Sequence, residues 1–165
     1  MPKSISRMSK GDIILMLLGS SIHLSFRKQI KRQLITTGFK KRNVIIMEEI
    51  IKNEKNIDYG SLDDKFEWIV KNYNPRFFFA IFHKNVKNIN GVIFEIGWLC
   101  GKLGSNIISK KLRFLFEDGY NLKRENTPSY IQALFSKILQ LPFDESKEYQ
   151  KCHIQILNFI NPCLK

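Results

Sequence analysis

The stretch of this chain best suited to chemistry is Asn90-Gly91-Val92-Ile93-Phe94-Glu95-Ile96-Gly97-Trp98-Leu99-Cys100. Wound as a helix, it gathers Val92, Ile93, Ile96, Leu99, Cys100 and Leu103 into one apolar stripe, with Gly91, Glu95, Trp98 and Lys102 along the flank. Glu95 is then expected at the edge of the core, in about the first turn of the helix. There the helix dipole and free N–H groups would favour its ionised form, and Gly91 would leave room for a ligand beside it. A fixed carboxylate next to a void suits the departure of a good leaving group from a sugar anomeric carbon, because it can stabilise or trap the positive charge that develops there. On physical grounds alone a plain surface role at a helix start carries about equal weight.

The elements that must position this segment are read from hydrophobic period. Short apolar runs at Asp12 to Leu18, Asn43 to Met47, Phe77 to Phe82 and Lys111 to Phe116 alternate with helical patterns. Helices are expected from Ser21 to Gly38, from Ser61 (capped with Asp64) to before Pro75, from Gly91 to Gly104, and from Pro128 (capped by Thr127) to Leu139. A last amphipathic segment covers Glu145 to Ile160 after the Leu141-Pro142 break. This order predicts a single α/β domain over residues 1–165: a small doubly wound, flavodoxin- or Rossmann-like, mostly parallel sheet of four to five strands with helices on both faces. Ligands of such sheets bind beyond the carboxyl ends of the strands. The residues just after the strands are therefore the candidates: Gly19, Ser20 and Ser21, Glu48 and Glu49, His83 and Lys84, Asn90 and Gly91 through Glu95, and Glu117 and Asp118, with Trp98 as a wall for a base. Gly19 to Ser21 could hold phosphate or sugar hydroxyls, although a simple turn and helix cap explains them as well. Glu48, Glu49 or Asp118 could supply a second carboxyl group.

The pattern Gly91, Glu95, Ile96, Gly97, followed by Gly101-Lys102 and a strand, resembles the signature of the nucleoside 2-deoxyribosyltransferase family. It is also similar to that of the nucleotide N-glycosidases and the NAD-cleaving TIR-like proteins. The resemblance extends loosely over the first 120 or so residues and implies a Rossmann-like fold in which the residue matching Glu95 acts on the ribose anomeric carbon. Two departures are visible. Asn88, Ile89 and Asn90 stand where the deoxyribosyltransferases usually carry an acidic residue for the base, and Trp98 and Cys100 follow the Glu that they commonly precede in TIR domains.

Composition limits the alternatives. The chain has 165 residues, 44% of them hydrophobic and 25% charged, which is enough for a real core and excludes a largely disordered chain. Its net charge of +12 fits a phosphorylated ligand or a nucleic acid without selecting either. The basic cluster Arg27, Lys28, Lys31, Arg32 and Lys40, Lys41, Arg42 reads as a solvated helix face and turn, and its lack of interleaved aromatics disfavours nucleic acid. Cys100, Cys152 and Cys163 have neither disulfide nor zinc spacing. No metal is expected, and NAD enters only as a substrate. Gly97 to Lys102 imitates a phosphate loop but has three residues between its glycines and no following Ser or Thr. The apolar run Ile13 to Leu18 is too short for a signal peptide, and none approaches a membrane span, so a cytoplasmic location is expected. Three readings remain: an enzyme acting on the N-glycosidic bond of a nucleotide or nucleoside, a TIR-like nucleotide-sensing module that assembles through the segment 145–160 into a homo-oligomer, and a basic nucleic-acid-binding accessory protein.

Overall fold

The segment Phe77–Phe82 organises the fold, because successive strand residues point to opposite sides and all six of its side chains are buried. Phe78, Ala80 and Phe82 join one apolar layer, whereas Phe77, Phe79 and Ile81 join the other. Such a strand needs helices on both faces. The computed structural model, which describes residues 8–53, 61–121, 129, 132–133, 140–143 and 149–164, supplies them. The strands are β1 (Leu15–Gly19), β2 (Val44–Ile45), β3 (Phe77–Phe82), β4 (Leu112–Glu117) and β5 (Gln140–Phe143), all parallel, in the order β2-β1-β3-β4-β5. The fold is therefore an α/β doubly wound sheet.

The helices are α1 (Leu24–Thr36), α2 (Met47–Asn53), α3 (Leu62–Tyr73), α4 (Asn90–Leu103), α5 (Ser105–Lys111) and a last helix, Tyr149–Ile160. Phe66 and Ile69 of α3 pack with Val92, Ile96 and Leu99 of α4 in the first layer. Phe26, Ile30 and Leu34 of α1 pack with Cys152, Ile156 and Ile160 of the last helix in the second. That apolar stripe faces inward, and Ile154 is exposed on the other side. Ser61 caps α3 as its spacing suggested: its hydroxyl accepts the Asp64 N–H at 3.2 Å and donates to the Asp64 carboxylate at 2.7 Å. Asn74 ends that helix in the left-handed conformation, just before Pro75.

Several boundaries differ from the sequence reading. Lys10–Asp12 is a 3-10 turn, so β1 starts only at Leu15. β2 has two residues, because Met47 already begins α2, and Glu48 and Glu49 therefore sit in a helical first turn that their charge favours. Helix α5 was not expected. The Leu141-Pro142 break is in fact β5, where proline is tolerated because the strand lies at the sheet edge. The expected helix from Thr127 and Pro128 to Leu139 lies outside the described residues except for 129, 132 and 133, which are helical. Residues 145–148 of the last segment also lie outside them. Among the described residues no helix is long and apolar enough to cross a membrane.

Gly104 separates α4 from α5 at φ 76° and ψ 155°, a backbone region that is essentially restricted to glycine. A Cβ there would meet nothing within 4 Å, so its cost is purely conformational. Gly104→Ala is expected to destabilise the protein by about 1–3 kcal/mol in urea denaturation. An unchanged midpoint would show that the junction relaxes freely.

Candidate functional site

The chain leaves β1 toward β2 on one side and returns to β3 on the other, so the carboxyl ends of β1 and β3 diverge into a crevice. A cavity of about 220 Å³ occupies it. Gly19, Ser20 and Ser21 line it after β1, and Met47 and Glu48 line it from the start of α2. Asn88 and Ile89 approach it from the segment after β3, and Gly91, Val92 and Glu95 complete the wall from α4.

One buried cation underlies this arrangement. Arg27 is 2% exposed and donates two hydrogen bonds to the Glu48 carboxylate, at 2.5 and 3.0 Å. It also donates to the carbonyls of Ser20, at 3.1 Å, and Leu17, at 3.4 Å. Gly19 leaves its path across the end of β1 clear: a Cβ there would lie 3.1 Å from both Cδ and Nε of Arg27, close enough to crowd the side chain. The basic cluster around Arg27 suggests a solvated face, and the structure corrects this. The correction has a geometric cause, since Arg27 follows the core residue Phe26 on the helix and turns inward beside it.

Glu95 is the sixth residue of α4, beyond the first turn, and is 7% exposed. Its Oε2 is buried with no hydrogen-bond partner among the described residues. Burial pushes its carboxyl up to about 8, with Arg27 pulling down and Glu48 pushing further up. The expected ionised carboxylate is thus mostly a neutral acid at pH 7, because desolvation outweighs the pull of Arg27. Beside it the space at Gly91 is open, and a Cβ there would have no neighbour within 4 Å.

Of the residues singled out from sequence, Gly19, Ser20, Ser21, Glu48, Gly91 and Glu95 converge on this cavity, and Met47, Asn88, Ile89 and Val92 join them. Ser20 also caps the following turn, its Oγ accepting the Ile22 N–H at 3.4 Å. Others fall elsewhere. Trp98 packs edge-on against Phe66 with Lys102 over its ring, and so does not wall the cavity. Asn90 is exposed at the start of α4, and its N–H binds the Asn88 side chain at 3.1 Å. Glu49 pairs with Lys31 at 2.6 Å. Asp118 is exposed, its N–H donating to the Phe143 carbonyl.

His83 is buried in a separate cluster. Its ring stacks on His23 at 3.6 Å between centroids, meets Phe26 and Phe143 edge-on, and lies 3.9 Å from the Glu117 carboxylate. No sequence signal joined two histidines 60 positions apart. The three cysteines are free, and no cluster of three potential metal ligands occurs among the described residues. No family model, curated protein or solved structure matches the chain.

The carboxyl of Glu95 has a stability consequence. The folded protein holds its proton up to about pH 8, whereas the unfolded chain releases it near 4.5. Between those values the native state binds more protons, so stability falls as pH rises through the window and then levels off. Glu95→Gln should abolish this slope. At pH 8 the variant should be more stable than the wild type by about 2–4 kcal/mol in urea denaturation, and the two should nearly coincide at pH 5.

Proposed function

We propose that this chain is an enzyme that cleaves or transfers at the N-glycosidic bond of a nucleotide, NAD or a nucleoside phosphate, with Glu95 as the carboxylate that meets the anomeric carbon. The observation that carries the reading is the unpartnered, nine-tenths buried carboxyl of Glu95 facing a cavity at the strand-end crevice. That cavity, about 220 Å³, is smaller than the roughly 300–1,000 Å³ of sites that enclose a drug-sized ligand. It suits one sugar, with base and phosphate reaching beyond it.

In this reading Gly91 admits the ribose, and the hydroxyls of Ser20 and Ser21 and the amide of Asn88 address its hydroxyls or a phosphate. Met47, Ile89 and Val92 keep the reacting carbon away from bulk water. The C–N bond electrons leave with the base, and the positive charge left on the sugar is stabilised or trapped by Glu95 before water or an acceptor adds. Glu48 is already held by Arg27, which leaves it poorly placed to protonate a leaving group. This favours a base that departs without a proton, such as a cationic pyridinium. A cationic substrate would also draw the proton off Glu95, since an approaching positive charge favours the ionised form.

Incubation with NAD, nucleoside monophosphates and deoxynucleosides, with free base followed by chromatography, tests the proposal. The wild type should release base from at least one of them, and Glu95→Gln should lower the rate by at least about 100-fold. Because the reaction uses the ionised form, kcat/KM should climb about tenfold per pH unit and level off above about 8, the value for Glu95 in the empty site. Gly91→Leu should fold normally and lose activity by filling the open space. Binding without release of base would turn the reading to a nucleotide-sensing module.

A further inference from the structure

A second concavity, about 650 Å³, opens along the β2 edge, and among the described residues it shares only Glu48 with the Glu95 cavity. Its cations arrive from three elements: Lys28 and Lys31 from α1, Lys41 and Arg42 from the turn before β2, and Lys52 from the end of α2. On α1, Leu24, Lys28 and Lys31 fall at helical spacing and so present one face to the groove.

Among the described residues two carboxylates also line the groove, and both are engaged, Glu48 by Arg27 and Glu49 by Lys31. Lys28, Lys41, Arg42 and Lys52 therefore remain without an ion pair among the described residues. The excess charge converges on a concavity whose apolar wall includes Leu24, Val44, Ile50 and Tyr73. Like charges gathered without a partner repel one another, and a ligand carrying several negative charges would relieve that repulsion.

We propose that this groove is a binding site for a nucleoside polyphosphate, with the phosphates among Lys28, Lys41, Arg42 and Lys52 and the base against Tyr73 and Ile50. The volume falls within the range of small-molecule sites, and the apolar wall gives a base a surface that a bare phosphate would not use. A nucleic acid fits less well. Glu48 and Glu49 stand among the cations where a continuous phosphate backbone would pass, and among the described residues Tyr73 is the one aromatic side chain lining the groove, against the series of rings that stacks single strands. The site is independent of the chemistry proposed for Glu95.

Calorimetric titration of the full chain with ADP, pyrophosphate and random-sequence single-stranded DNA is the test. ADP should bind with an affinity that falls with salt, and more tightly than pyrophosphate. Lys28→Glu combined with Lys41→Glu should weaken ADP by at least about tenfold. Arg42→Gln combined with Lys52→Gln should act in the same direction, which separates a binding effect from a folding defect in the first pair. Glu95→Gln should leave ADP affinity unchanged even if it abolishes base release, so the two proposals fail separately. No ADP binding at millimolar concentration would overturn the assignment. So would binding undiminished in both variant pairs, equal affinity for pyrophosphate, loss of ADP binding in Glu95→Gln, or DNA binding more tightly than ADP.

Discussion

The guanidinium of Arg27, laid across the end of β1 and clasped by Glu48, is the interaction on which the candidate site depends. It reaches from a helix of one apolar layer to the start of α2, and it also holds the Ser20 carbonyl, so it shapes the turn that lines the cavity. A buried charge is tolerated only when it is matched and hydrogen-bonded, and Glu48 provides the match. That match governs Glu95. With its charge answered by Glu48, Arg27 cannot keep the neighbouring carboxyl ionised, and desolvation prevails. The cavity is therefore polar but close to neutral, a setting in which arrival or development of positive charge changes the protonation of Glu95.

The same pair explains why two concavities lie side by side without merging. Glu48 stands between them as a shared wall, with the nearly uncharged crevice on one side and the basic groove on the other. The groove lies where β2, two residues long, gives way at once to α2, and its lining comes from α1, the turn before β2, and α2.

Much of the fold was legible locally. Phe77–Phe82 announced itself as a strand buried on both faces, since six apolar residues before a polar segment cannot make a useful helix. α4 was found within a residue of its ends, and the cap of α3 through Ser61 and Asp64. β5 was missed because Pro142 speaks against a strand unless the strand is known to be at an edge, which is a property of the sheet. Gly104 is legible as the end of α4, but the seven residues of α5, Ser105–Lys111, are too few to show a helical period of their own before β4.

For the site, sequence by itself determined which strand ends carry useful side chains: period locates the strands, and parallel topology sends ligands to their carboxyl ends. Gly19 to Ser21, Glu48, Gly91 and Glu95 follow from that. Tertiary structure alone decided that Arg27 is buried while Lys28 and Lys31 line the groove, that His83 stacks on His23, that Trp98 turns to Phe66, and that Glu95 holds a proton. The physical reason is common to all four. Burial and charge are properties of the space around a side chain, and that space is assembled from residues distant in the chain.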